Sequence, residues 1–263
     1  MNTLDVPHAL ITGAAKRVGA EIARRFAQSG WAVTIHYRSS SKEAEILAKS
    51  LRAGGATAQT VQADLSDPQD AAAMIDALDQ EGPPLSCIVN SAAMFSHDEP
   101  GAVTADNLTR HFRVNAAIPI LLAQALHAAK RRRNGYGVVI NILDNKIFAP
   151  NPDYFSYSVS KFALAGATRM LAMALAPRVR VCGVAPSILL VSGEQGEANF
   201  QATRAINPMH RATHLADVCR TVLFLAETES VNGEIVTVDR GQTLMNLPRD
   251  VAFLDEAVRD RFE

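Results

Sequence analysis

The chain has 263 residues, 48% of them apolar and 20% charged, enough to bury the core of one large α/β domain or two small ones. A formal net charge of −1 gives no global attraction to nucleic acid or anionic lipid. Cys87, Cys182 and Cys219 are far apart, odd in number and flanked by apolar residues, which argues against a disulfide framework or a metal site and fits reduced thiols in the cytoplasm.

The N-terminus lacks a basic region followed by an apolar core, so no secretory signal is expected. The most apolar long segment, 162–176, is interrupted by Arg169 and stopped at Pro177, too short to span a bilayer. Arg131-Arg132-Arg133 reads as a solvated helix end, where cations suit the helix dipole. A small-molecule partner is therefore expected, with neither nucleic acid nor membrane.

Ala9-Leu10-Ile11 is an apolar run leading into Thr12-Gly13-Ala14-Ala15-Lys16-Arg17-Val18-Gly19, after which Ile22, Ala23, Phe26 and Ala27 recur at helical spacing. Strand, glycine turn and helix in that order let backbone N–H groups and a helix N-terminus approach a pyrophosphate. Residues 32–36 form the next strand, which ends in Tyr37-Arg38-Ser39-Ser40. An NAD-selective site presents a carboxylate there to the ribose 2′-hydroxyl, but the first acid in this chain is Glu43. Arg38 with neighbouring hydroxyls suits a 2′-phosphate, favouring NADPH over NADH; the alternative is that Arg38 merely opens the helix beginning near Ser41. A third strand over 57–61 runs into Ala63-Asp64-Leu65, and Asp67-Pro68 starts another helix. Asp64 is either a contact to an adenine amino group or a loop acid near a helix start.

Cys87-Ile88-Val89 is a short buried strand running into Asn90-Ser91-Ala92-Ala93-Met94-Phe95, whose small residues permit close passage of a cofactor. A long helical pattern over 104–130 contains Asn115 among apolar neighbours; a buried amide there needs partners, and Pro119 predicts a kink or local opening. Residues 137–142 make the fifth strand and deliver Leu143 and Asp144 at its C-terminal end, the edge at which open α/β sheets bind ligands. Tyr157 and Lys161 follow on a helix, four residues apart and on one face. An ammonium beside a phenol is expected to lower its pKa and ready Tyr157 as an acid; taken alone, the pair is a surface contact. A strand over 179–184 leads to Ala185-Pro186-Ser187. The irregular stretch 188–211 is expected to be a lid or a disordered loop, and a helix over 214–226 and a last strand over 234–238 complete the pattern. No repeat, low-complexity tract or linker divides the chain, so one domain is expected, 1–243, with 244–263 as its C-terminal extension.

Thr-Gly-x5-Gly first and Tyr-x-x-x-Lys in the second half of an alternating strand–helix pattern make the chain resemble the short-chain dehydrogenase/reductase family over roughly residues 8–243. The resemblance implies a single Rossmann-like, doubly wound parallel sheet of about seven strands with helices on both faces, and a homotetramer. It implies Tyr157 as proton donor, Lys161 on the nicotinamide ribose and lowering the Tyr pKa, and Asn115 holding a water in a proton relay. Gly13, Lys16, Arg17, Val18 and Gly19 would hold the cofactor with Tyr37, Arg38 and Ser39, then Asp64 and Leu65, then Asn90, Ser91 and Ala92, and finally Pro186, Ser187 and Ile188, with Pro186 bordering the nicotinamide.

Where most of the family has Ser thirteen residues before the Tyr, this chain has Asp144; Arg17 replaces a glycine, and Ser187 replaces another. These departures resemble the pteridine reductase and dihydromonapterin reductase branch, which implies an NADPH-dependent reduction of a pterin-like ring. Arg17, Phe95, Asp144 and Tyr157 would then contact the substrate, Phe95 by stacking. Asp144 paired with Tyr157 suits protonation of a ring nitrogen better than a Ser hydroxyl does, provided burial raises its pKa. The plainer alternatives are a turn former for Asp144 and loop packing for Phe95. Competing functions are an NADPH-dependent reductase of small carbonyls or acyl thioesters, and an NADPH-binding regulator without turnover.

Overall fold

A computed structural model describes residues 6–80, 83–191 and 195–254. Seven parallel strands form one sheet: β1 (His8–Ile11), β2 (Ala32–Tyr37), β3 (Ala58–Gln62), β4 (Leu85–Asn90), β5 (Gly137–Ile142), β6 (Val179–Pro186) and β7 (Ile235–Val238), in the spatial order 3-2-1-4-5-6-7. The order reverses between β1 and β4, opening a crevice at the carboxyl ends of the strands. Strands β1 and β5 are near-continuous apolar runs because helices cover both faces.

On one face lie α1 (Arg17–Gln28), α2 (Ser41–Ala53) and α8 (Leu215–Glu227), packing Ile22, Phe26, Leu47 and Val222 against the sheet. On the other lie α3 (Pro68–Gln80), α4 (Ala105–Phe112), α5 (Ile118–Arg132) and α6 (Phe155–Ala174); Ile75, Leu122 and Leu126 fill that core. The run 105–132 is long and apolar enough to cross a membrane by length and composition, yet Ile118, Leu122, Ala123 and Leu126 are spent on the core. At its end Arg132 and Arg133 pair with Asp76 and Asp79 of α3, so the basic run is a helix end tied to its neighbour. Cys87, Cys182 and Cys219 are free and buried.

The expected break near Pro119 is a π-helical turn at Arg113–Ala117 between α4 and α5. Pro119 has no N–H to give the carbonyl of Asn115, four residues back, and the chain widens there instead of continuing as an α-helix. The irregular stretch after β6 contains a further helix, α7 (Glu197–Thr203); residues 192–194 of it lie outside the described residues. The close approach of α1 to β1 depends on Gly19: a Cβ there would meet Ala14 Cα and the Gly13 carbonyl at 2.8 Å. The turn before it is held open by left-handed conformations at Gly13 (φ 63°) and Arg17 (φ 56°), the latter uncommon for a residue with a side chain.

Candidate active site

Over the carboxyl edge of the sheet lies a cavity of about 1060 Å³. Thr12 joins its two halves at the crevice. Its hydroxyl accepts from the N–H groups of Ser91 and Ala92, both at 3.0 Å, tying the exit of β1 to the exit of β4. His36, at the end of β2, shapes the glycine turn. Its Nδ1 accepts from the Gly13 N–H at 3.0 Å, which leaves Nε2–H to donate to the Ala63 carbonyl at 3.1 Å. Burial lowers the His36 pKa, opposed by that carbonyl, so the ring is held in the neutral form the turn requires.

Gly13, Lys16, Arg17, Val18 and Gly19 line this half of the cavity with Tyr37, Arg38, Ser39, Asp64 and Leu65. Arg17 and Arg38 are exposed cations at the rim; Arg17 donates to the Val191 carbonyl at 2.8 Å, and Lys16 pairs with Glu43 at 2.7 Å. Asp64 accepts from the Ser66 N–H at 2.8 Å, as a loop acid does at the start of a turn, while facing the cavity. Ser91 and Ala92 line the middle, and Pro186, Ser187 and Ile188 the opposite wall. A Cβ on Gly13 would come within 2.9 Å of Ala92 Cα. A floor of small residues with cations at one end is the shape and donor set that a phosphorylated dinucleotide requires.

Asn90 and Asn115 are not among the residues that line the cavity. The Asn90 side chain points into the sheet, donating to Asn141 Oδ1 at 2.8 Å; Asn141 in turn donates to the Thr168 hydroxyl. The Asn115 amide accepts from the Met94 N–H at 2.7 Å and donates to the Met94 carbonyl and the Ser160 hydroxyl, both at 2.9 Å. It anchors the wall behind Phe95.

The other half of the cavity contains Asp144, Tyr157, Lys161 and Phe95. Asp144 begins the turn after β5: Oδ1 accepts from the Lys146 N–H at 2.9 Å, and Oδ2 accepts from the Tyr157 hydroxyl at 2.9 Å. It is therefore both turn former and partner of the phenol. Lys161 donates to the Ile142 carbonyl at 2.7 Å and lies 5.5 Å from the Tyr157 ring centroid. Phe95 meets Tyr157 edge-on at 4.7 Å and stacks on Tyr154 at 4.4 Å.

The expected lowering of the Tyr157 pKa is corrected. Burial, then the Asp144 charge and hydrogen bond, and then Asp250 raise it well above 10.0. Burial also lowers Lys161 to about 8, against the pull of Asp144. Beyond burial, the hydroxyl bonds Asp144 directly, whereas Lys161 is directed to a carbonyl. The site thus keeps Tyr157 protonated.

Several lining residues carry no sequence signal at this level. Tyr154 (φ 53°) packs 3% exposed at the head of α6. Lys146, Leu247, Arg249, Asp250, Val251 and Ala252 also line the cavity, so the described part of the segment after β7 folds over its own chain's site. Residues 255–263 lie outside the described residues.

An open parallel sheet with a Tyr–Lys–carboxylate group at its carboxyl edge beside a dinucleotide-shaped cleft defines an α/β oxidoreductase. Residues 13–243 match the family model described as enoyl-(acyl carrier protein) reductase. A short-chain type dehydrogenase/reductase of Picea abies is 35% identical, the match covering 89% of this chain and 91% of that one. The chain belongs to the short-chain dehydrogenase/reductase family. It is also 30% identical to a dihydromonapterin reductase of Escherichia coli, over 92% of this chain and 99% of that one. A crystal structure of FolM alternative dihydrofolate reductase 1 from Brucella suis in complex with NADP is 36% identical, with a TM-score of 0.86 over 92% of this chain and 96% of that one.

The buried histidines give the fold a pH signature. His8, like His36, has its pKa lowered from 6.5, chiefly by burial. The unfolded chain then takes up protons below about pH 6.5 that the native state resists, so stability is full above that pH and falls as pH drops. The denaturant midpoint should decline from about pH 6.5 to 5, and His36→Asn should flatten the decline. A midpoint unchanged over that range would contradict the neutral, hydrogen-bonded His36.

Proposed function

We propose that the protein is an NADPH-dependent reductase of a pterin-like heterocycle, of the dihydropterin or dihydrofolate type. The observation that carries this reading is the Tyr157 hydroxyl donated to Asp144 at 2.9 Å beside the Phe95 ring. The related proteins named for dihydromonapterin and dihydrofolate reduction support it. Bound NADPH supplies the hydride to a ring carbon. Tyr157 gives its proton to the adjacent ring nitrogen, which a phenol kept protonated by burial and two carboxylates is suited to do. Lys161 faces the phenolate that is left and stabilises it. Asp144 holds the hydroxyl in line, and Phe95 offers an aromatic wall for a flat ring. Arg17 reaches from the glycine turn toward both ligands. The Asn115 carbonyl, denied its α-helical donor by Pro119, is our candidate to hold the water that returns the proton.

At the far end of the cleft Arg38 takes the 2′-phosphate, with Ser39 beside it, because a guanidinium matches phosphate through two parallel hydrogen bonds. We assign 1–243 and its extension to one domain working in the cytoplasm, where the three buried thiols stay reduced. We also propose a homotetramer. One side of α6 exposes Val159, Phe162, Met170 and Met173, and Phe112 is exposed on α4, a stripe that apolar burial between subunits would remove from water. Gly166 is exposed on that side, whereas Ala163 and Ala165 pack against the chain's own core.

Steady-state oxidation of NADPH and NADH with a dihydropterin, a diketone and an acetoacetyl thioester tests the activity. We expect turnover of the dihydropterin with NADPH preferred, and loss of about 10²–10⁴-fold in Tyr157→Phe. Turnover of the carbonyl compounds alone would contradict the substrate class. An inert wild type that still binds NADPH would identify a regulator. Sedimentation velocity should give a tetramer for the wild type and smaller species for Phe162→Asp; a monomeric wild type would refute the assembly.

A further inference from the structure

The family match stops at residue 243, yet the chain continues across the active-site cavity. Arg249 grips Asp153 with one edge of its guanidinium, Nε at 2.9 Å from each oxygen and Nη2 at 2.6 Å from Oδ1, and the Asp250 N–H donates to the same carboxylate at 2.6 Å. Val251 and Leu254 pack with Ile206, and Asn199 of α7 donates to the Ala252 carbonyl at 3.2 Å. The segment is thereby clasped between α7 and the turn before α6. At its centre Asp250 Oδ2 meets Lys146 Nζ at 2.7 Å, while Oδ1 accepts from the Ala252 N–H at 3.0 Å. Lys146 is 7% exposed. Its ammonium also donates to the Asp153 carbonyl at 3.1 Å and sits 4.9 Å above the Tyr154 ring. Its backbone N–H, two residues after Asp144, holds Asp144 Oδ1, and Asp144 Oδ2 holds the Tyr157 hydroxyl. One unbroken series of contacts runs from the C-terminal segment to the reacting phenol.

We propose that Asp250 is a positioning residue for the proton donor: paired with Lys146, it fixes the turn that holds Asp144 on the Tyr157 hydroxyl and completes the charge balance around that hydroxyl. The inference rests on Tyr157 as proton donor. A buried ammonium that loses its carboxylate leaves an uncompensated charge, and the turn carrying it would move. Misplacing a reacting group by about 1 Å costs on the order of 10²-fold in rate. Among the described residues, the charged groups around Tyr157 are Asp144 from the turn after β5, Lys161 from its own helix, and Asp250 from the C-terminal segment, whose charge reaches the phenol, with Lys146 beside Asp250.

Two variants separate positioning by charge from mere support. Asp250→Asn removes a negative charge that raises the Tyr157 pKa, so the phenol should ionise at lower pH. Lys146→Met removes the cation that balances Asp250, so the phenol should ionise at higher pH. The shifts are read from ultraviolet difference titrations of the purified protein against Tyr157→Phe, which need no substrate. In turnover, Asp250→Asn should lower kcat by about 10- to 100-fold with NADPH affinity unchanged, and Asp250→Glu, which keeps the charge, should recover most of it. Shifts in the same direction for both variants, or none, would overturn the proposal, as would full kcat in Asp250→Asn. Failure of the wild type to reduce a pterin would overturn the substrate reading and leave the titration result standing.

Discussion

The hydroxyl of Tyr157, buried and donated to a carboxylate, is the interaction on which the site depends. A phenol in that setting resists ionisation. Lys161 donates to the Ile142 carbonyl and lies 5.5 Å from the Tyr157 ring centroid, where the proposed reaction has it stabilise a phenolate. The arrangement is one of preorganisation: donors and charges are placed where charge will develop. It requires two elements far apart in sequence to meet at one edge. Strand β5 delivers Asp144, α6 delivers Tyr157 and Lys161, and parallel stacking of β4, β5 and β6 fixes their separation.

Behind this pair stands polar bonding among amide side chains that lie outside the cavity lining. Asn115 joins the β4 exit to α6 through Met94 and Ser160, while Asn90, Asn141 and Thr168 link β4, β5 and α6 through the core. Each amide is buried, so a lost partner would leave an unsatisfied group at a cost of about 1–3 kcal/mol. Such a network specifies one arrangement of the helix bearing Tyr157. The π turn belongs to the same logic, since Pro119 prevents the regular helix that would otherwise occupy the carbonyl of Asn115.

Much of this was legible in the chain. Most strands announced themselves as short apolar runs, and the doubly wound order followed from strand–helix alternation, because right-handed crossovers leave few other stackings. The Tyr157–Lys161 spacing and the position of Asp144 at a strand exit located the chemistry. The direction of the Tyr157 pKa was not legible, because it depends on which neighbour bonds the hydroxyl and on burial, neither of which spacing reveals. The direction of the Asn90 side chain was hidden for a related reason. A strand alternates its faces, and one residue decides between cavity and sheet interior. His36 was a missed signal, an imidazole within an otherwise apolar strand at its ligand-binding end. Lys146, Arg249 and Asp250 meet through ion pairs about a hundred residues apart in sequence, which no periodicity encodes.

A crystal structure of the protein with NADPH and a dihydropterin bound together tests the central claim most directly. The account predicts the pterin stacked between the nicotinamide and Phe95, its reducible carbon about 3–3.5 Å from the hydride-bearing carbon. The Tyr157 hydroxyl should lie within about 2.6–3.2 Å of the adjacent ring nitrogen. A pterin bound with that nitrogen turned away from Tyr157, or a nicotinamide lodged outside the cleft between the glycine turn and Pro186, would contradict it.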